Sequence, residues 1–370
     1  MTITQIEIQL VAVVVAAACA LPGVYLVLRG FAMMSDAISH AILPGIVVAF
    51  FLVGNLNSPL LILGAALTGL LTVVLVEMLT ATRLVKEDAA IGLVFPALFS
   101  IGVILIARYA GDVHLDLDAV LLGELAFAPF NRLEVGGVDL GPQGLYAMGA
   151  VGLVNLAFIL VFYKELKLAT FDAALASSLG FMPVLLHYLL MGLVSVTAVA
   201  AFDAVGAILV VALIVGPPAS ARLLTDRLSM TLLLSVVLGV ACAISGYWLA
   251  HALDASIAGS MATMVGVCFA ACYLFAPRHG WLALRRLEHR RRFVFARKVL
   301  AIHLLQHEGT PEADRECRAD HLQEHLSWSP SFSRTVVQQA RQRELIHQHN
   351  GRLWLTPKGR ALAQKSVVDV

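Results

Sequence analysis

A chain of 370 residues with 59% hydrophobic and only 14% charged side chains lies far from the composition of a soluble globular protein. Its net charge of +1 decides nothing, because 26 basic and 25 acidic residues are sorted by region. Five scattered cysteines (Cys19, Cys242, Cys268, Cys272, Cys317), four of them inside apolar runs, argue for small packing residues and against a disulfide or thiolate metal pair.

Apolar runs of roughly 20 residues recur over the first three-quarters of the chain, each long enough to cross a bilayer core. They place about nine spans, near 5–28, 34–54, 59–80, 89–108, 145–163, 182–200, 204–220, 230–250 and 258–276. The two around Asp203 are short for full crossings. No basic n-region or small-residue cleavage site precedes the first run, so Ile3 to Leu28 is expected to be a span and not a removed signal peptide. Arg29, Arg83 with Lys86, Lys164 with Lys167, Arg222 with Arg227, and Arg278 onward fall in alternate loops. The opposite loops, Gly54–Ser58, Ala201–Asp203 and Ala250–Ser256, carry no Lys or Arg, and the only misplaced basic residue near a membrane end is Arg108. The positive-inside rule then sets the N-terminus outside and the C-terminus in the cytoplasm.

The second span follows Arg29 and carries an acid and an imidazole, Asp36 and His40, within an apolar run. Four residues apart on a helix, they share one face with Cβ atoms roughly 5–6 Å apart. Pro44 has no N–H for the carbonyl of His40, which frees that oxygen beside the imidazole. A charge at the bilayer centre costs about 3 kcal/mol, so the pair reads either as a metal-binding site or as a His–Asp hydrogen bond locking two helices.

The outer segment from Tyr109 to Gly144 is acidic, with Asp112, Asp116, Asp118, Glu124, Glu134 and Asp139 against Arg132. It is expected to be a solvated loop with one interfacial helix near Ala119–Phe127. Further on, Gly206 permits close helix approach, and Pro217-Pro218 are expected to end or kink their span at the membrane surface. Ala219 to Arg227 then reads either as an ordinary turn or as a short amphipathic helix that docks on a partner, through Pro218, Ala219, Arg222, Leu223, Thr225, Asp226 and Arg227.

After Pro277 the composition changes. A basic juxtamembrane stretch over 278–292, with Arg285-Arg286 and Arg290-Arg291-Arg292, suits anionic lipid head groups. Residues 293–370 read as a small soluble unit. Phe293–His307 and Cys317–Leu326 are expected helices; Ser329 caps a third with Pro330 in its first turn, running to about Glu344. Leu345 to Thr356 is a hairpin signal around Asn350-Gly351, and Thr356-Pro357 caps a last helix. Three helices and a β-wing make a winged helix-turn-helix. The expected class is therefore an all-α polytopic membrane domain, residues 1–277, followed by a small α+β cytoplasmic domain.

Arg29…Ser35-Asp36-Ala37…Ser39-His40-Ala41…Leu43-Pro44-Gly45 resembles the signature of the manganese/zinc/iron permease family of ABC importers. Lys86 to Gly92, and Val205 to Leu213 with Pro218-Ala219, resemble two further blocks in the same order, and the resemblance covers about residues 5–277. It implies a dimer of membrane subunits (two copies or a copy with a sibling), a separate cytoplasmic ATPase, and an extracytoplasmic metal-binding protein. It makes Asp36 and His40 the metal contacts, with Ser35, Ser39, Pro44 and Gly45 shaping the site, and puts the ATPase contact at Ala219–Arg227. The resemblance implies no permanently held cofactor and Mn²⁺, Fe²⁺ or Zn²⁺ as cargo, with the tail favouring manganese by analogy. The tail resembles the DNA-binding half of diphtheria-toxin-repressor-type regulators, yet a membrane tether makes nucleic acid an unsuitable partner, and a regulatory or ATPase-contacting module fits better.

The chemistry agrees. No Gly-x-x-x-x-Gly-Lys-Ser/Thr occurs, so the chain has no P-loop of its own and is not expected to be an enzyme. Two Asp/His pairs across a dimer axis give an O/N donor set suited to Mn²⁺, Fe²⁺ or Zn²⁺. Because a ligating imidazole is neutral, uptake is expected to weaken as pH falls through the His40 titration. An ion-gradient carrier using Asp36 and His40 as a proton relay, and a membrane-tethered metal-responsive regulator, are the competing classes. In the tail, His303/His307 and His321/His325, with Cys317, Asp320 and Glu324 nearby, are either solvated or a metal-sensing cluster, and Arg334, Arg341 and Arg343 form a basic helix face.

Overall fold

The computed structural model describes residues 2–54, 58–109, 125–135, 138–322 and 326–368. The chain divides into two compact units, Met1–Gly280 and Trp281–Val370. Among the described residues nine helices are long and apolar enough to cross a membrane, all in the first unit.

Helix α1 (Ile3–Arg29) is the post around which the first unit is built. Its apolar window is 67% buried, against 17–50% for the others. It starts with a capping box between Thr2 and Gln5 and stops at Gly30, whose φ of 85° ends the helix without Cβ strain. The second span is broken: α2 (Ala32–Ala41) and α3 (Leu43–Val53) meet at Ile42, with Pro44 in the first turn of α3. Helices α4 (Pro59–Ala81) and α5 (Glu87–Tyr109) pack on this broken span. Gly45 and Gly64 let α3 and α4 touch backbone to backbone, since a Cβ on Gly45 would meet the Gly64 carbonyl and Thr68 Oγ1.

Helix α6 (Gln143–Val161) lies against α1, and the short helices α7 (Tyr163–Phe171) and α8 (Ala173–Ser178) lead to α9 (Pro183–Val205). Asn155 of α6 donates from Nδ2 to the Ala18 carbonyl at 3.2 Å and to Thr197 Oγ1 at 2.8 Å, a buried polar tie between α6, α1 and α9. Helices α10 (Ala207–Leu224), α11 (Leu228–Leu253) and α12 (Ile257–Phe275) complete the bundle.

Three expectations need correction here. Ala201–Asp203 is not a loop: α9 runs on to Val205, and the chain turns at Gly206 (φ 80°), where no other nearby residue breaks a helix. Pro217 and Pro218 do not end their span, and no separate helix forms over Ala219–Arg227; α10 continues to Leu224. Ser220 Oγ donates to the Gly216 carbonyl at 2.8 Å, and Gly23 of α1 sits against the Ile214 carbonyl that Pro218 cannot serve. The outer segment is also more than loop. Residues 119–124 lie outside the described set, but Leu125–Phe130 is a 3₁₀ helix, followed by the hairpin β1 (Arg132–Val135) and β2 (Val138–Pro142). Arg132 holds it together by pairing with Asp139 and, at 3.3 Å, with Glu7 of α1; this hydrogen bonding keeps the Asp139 carboxyl below its usual range.

The second unit has its own apolar core, including Leu300, Leu304, Val336, Ile346 and Leu353. Its first helix, α13 (Trp281–His307), begins far earlier than Phe293, so the basic run at 285–292 is helical. The expected helix over Cys317–Leu326 is not seen as such: α14 is the short Ala313–Glu316, Arg318 bridges to Arg352, and residues 323–325 lie outside the described set. Helix α15 (Pro330–Gln342) carries the expected Ser329 cap. Strands β3 (Ile346–His349) and β4 (Arg352–Leu355) pair antiparallel around Asn350 (φ 50°) and Gly351 (φ 76°), the paired positive angles of a two-residue hairpin turn. Thr356 Oγ1 accepts from Gly359 N at 3.0 Å and opens α16 (Pro357–Val368).

Candidate functional site

Helix α2 has two distinct faces. Met34, Ala37, Ile38 and Ala41 are fully buried against the unit's core. Asp36 and His40 lie on the other side, with side chains 37% and 34% exposed and His40 Nε2 3.5 Å from Asp36 Oδ1. Met33 extends the same open face, and the ring of Phe95 from α5 flanks His40 at 6.0 Å between centroids. Ser35 and Ser39 are buried and turned away from the pair, donating to the backbone carbonyls of Ala32 and Ser35 at 2.9 Å. Such bonds soften a helix without adding a ligand. Pro44 and Gly45 act on the backbone: the first gives the His40 carbonyl no N–H, the second admits α4.

An acid and an imidazole thus sit together in an apolar span, on a face the chain's own core leaves open. In hydrocarbon that is expensive unless a protein surface or a cation meets them. Carboxylate oxygen and imidazole nitrogen suit Mn²⁺, Fe²⁺ and Zn²⁺ alike.

A second ionisable cluster lies at the Arg29 end of the spans, and sequence reasoning missed it. Glu77 of α4 takes His187 Nε2 at 2.5 Å and the Tyr188 hydroxyl at 2.7 Å. Arg29 reaches His187 Nδ1 at 3.2 Å and Thr170 Oγ1 of α7 at 3.1 Å, and Phe31 lies against the His187 ring. One network therefore ties α1, α4, α7 and α9 just below the start of α2. Glu77 and His187 were visible as lone ionisable residues in apolar spans, and that was the signal.

The end of α10 and the residues after it are exposed at Asp226 and Arg227, half-buried at Ala219, Arg222, Leu223 and Thr225, and buried at Pro218. Pro218 therefore braces α10 from inside and offers no surface. Arg222 donates to Asp226 at 2.6 Å and to the Thr225 carbonyl at 3.3 Å; His279 and Arg278 approach the same carboxylate at 3.7 and 3.8 Å. The Arg222 hydrogen bond, with the neighbouring charges, holds the Asp226 carboxyl below its usual range. In the tail, Asp320 is engaged by Arg318 at 3.0 Å, Arg334, Arg341 and Arg343 are exposed, and His325 and Glu324 lie outside the described residues.

Comparison with known proteins is consistent across the chain. The zinc transport system membrane protein TroD of Treponema pallidum (strain Nichols) is 49% identical over 360 residues, 97% of each chain. The manganese transport system membrane protein MntD of Bacillus subtilis (strain 168) is 50% identical over 268 residues, covering 72% of this chain and 90% of that relative. Among solved structures, PsaBC from Streptococcus pneumoniae in complex with Fab superposes with a TM-score of 0.63 at 28% identity, covering 77% of this chain and 96% of that one. The ABC 3 transport family matches residues 4–276, and the chain, a multi-pass membrane protein, belongs to that family.

Proposed function

We propose that this chain is the permease subunit of an ATP-driven importer that carries a divalent transition-metal ion, manganese ahead of iron and zinc, across the bacterial cytoplasmic membrane. The observation that carries the reading is the Asp36–His40 pair on the open face of α2. One copy supplies a single carboxylate and a single imidazole. A second permease, another copy or a sibling, brings a matching pair to the same depth and completes a four-donor O/N set. Splitting that set between two subunits also gives a route for release: separation leaves the ion with two donors on each side.

The alternation of Lys and Arg supports an outside N-terminus and a cytoplasmic C-terminus. A cytoplasmic ATPase then docks on Ala219, Arg222, Leu223, Thr225, Asp226 and Arg227, and an extracytoplasmic metal-binding protein delivers the ion. Relatives named for zinc and manganese transport support the cargo class. Residues 293–370 act as a winged-helix module with a regulatory or ATPase-contacting role; the β3–β4 hairpin would be the wing and α15 the helix before it.

The test is uptake of Mn²⁺, Fe²⁺ and Zn²⁺ into proteoliposomes holding the permease, its ATPase and its binding protein. Asp36→Ala and His40→Ala are each expected to abolish ATP-dependent uptake. Wild-type rates in both variants would remove the site.

A further inference from the structure

We propose that the C-terminal unit holds a resident transition-metal ion of its own, on His303, His307 and Glu316. One potential ligand atom from each of these three side chains lies within 4.8 Å of the other two. The convergence has a clear local origin. His303 and His307 stand on successive turns of α13, with ring centroids 4.7 Å apart. Gly309, at φ 88°, turns the chain back, and α14 lays Glu316 beside both rings. His321 approaches the same carboxylate, its Nε2 3.2 Å from Glu316 Oε1.

The site has the features of a built one. His303 and Glu316 are only 5% and 8% exposed. His303 Nε2 is 3.1 Å from the Glu316 main-chain oxygen, the kind of backbone contact that fixes the tautomer and orientation of a ligating imidazole. Around an ion with ligands at about 2.0–2.1 Å, tetrahedral donors stand roughly 3.4 Å apart, so donors already within 4.8 Å of one another have little distance left to close. Imidazoles around a carboxylate select Zn²⁺, Mn²⁺, Fe²⁺ or Co²⁺ over the oxygen-loving Mg²⁺ and Ca²⁺.

The ion would also clasp the unit. Cys317, next to Glu316, accepts from Leu353 N of β4 at 2.8 Å, and Arg318 bridges to Arg352. A metal on Glu316 therefore links α13 to the hairpin through two residues of chain. Because a bound ion stabilises only the folded form, unit stability should rise with metal concentration.

The test uses the full-length protein in detergent, stripped of metal, in an Asp36→Ala/His40→Ala background that removes the transport pair. Co²⁺ is the probe, read by its d–d absorption and by metal analysis after desalting. The expected result is a single Co²⁺ per chain, displaced by Zn²⁺, with affinity lowered roughly tenfold or more by His307→Ala and by Glu316→Gln. The metal-free parent and His307→Ala proteins should unfold together, and Co²⁺ should raise the unfolding temperature of the parent alone. If His307→Ala lowers the metal-free temperature, His307→Gln replaces it in the same comparison. No Co²⁺ absorption in the parent, or undiminished absorption in the His307 and Glu316 variants, overturns the proposal. Neither result bears on Asp36 and His40, which are absent from every protein compared.

Discussion

The carbonyl of Ile214 explains why position 23 holds glycine. Pro218 has no N–H to satisfy that oxygen, and α1 lays the bare Cα of Gly23 against it, where a Cβ would collide with backbone. Gly23→Val should therefore lower the detergent unfolding temperature, by the equivalent of about 1–3 kcal/mol, the usual range for forcing extra carbons into a packed core. Asp226 offers a pH-dependent counterpart. Its carboxyl titrates below the usual carboxylate range in the folded protein because Arg222 binds the ionised form. A depressed carboxyl contributes its stabilisation above the unfolded-state value and loses it as pH falls through the folded one. The tie between Thr225–Arg227 and Arg278–His279 should thus hold at neutral pH and loosen in acid. Hydrogen exchange at 223–228, referenced to Asp226→Asn, checks this: the two proteins should differ at neutral pH and converge in acid.

At the scale of elements, the Glu77 network is the join most exposed to a single substitution. Glu77→Ala removes the carboxylate shared by His187 and Tyr188, and loss of the Tyr188 hydrogen bond to a charged group costs about 1.5–3 kcal/mol. Glu77→Gln keeps the Tyr188 bond and should cost less, so thermal unfolding should rank wild type, Gln, then Ala. That network shows what a sequence reveals and what it withholds. Spans could be read from apolar length, because the bilayer imposes that length on each helix separately. The Asp36–His40 pair was legible for the same local reason, since its partners are one turn apart. Glu77, His187 and Arg29 were visible singly, but their pairing depends on how α1, α4 and α9 pack, which no local period encodes. Pro217-Pro218 misled the reading for a related reason. A proline pair is a helix stop until another helix meets it: Gly23 of α1 packs against the Ile214 carbonyl that Pro218 strands. In the tail, caps and the Asn350-Gly351 turn were legible because their chemistry is local, whereas the Glu316–His303–His307 grouping needed the turn at Gly309.

For the whole molecule, the open face of α2 predicts assembly. Met33 is 56% exposed on that face, so if the partner is a second copy, Met33→Cys in a background without the five native cysteines should cross-link two copies in membranes. A product no larger than the single chain would argue against a pair of identical copies meeting through α2. An ATP-driven importer further predicts that vanadate stops uptake by the reconstituted complex; vanadate-resistant uptake that follows a proton gradient would favour a secondary carrier instead.

The break at Ile42 carries a mechanical consequence. Helix α2 has ten residues, about 15 Å of rise, half the depth of the hydrocarbon core. It is bounded by Gly30 in the left-handed region at one end and by Ile42 at the other, while α3 is clamped to α4 through Gly45 and Gly64. The pair is therefore mounted on a short helix that ends in a left-handed glycine on one side and a proline-interrupted turn on the other. Gly30→Ala, which penalises the φ of 85°, should slow turnover more than it weakens metal binding, a split that uptake rates and equilibrium binding would resolve.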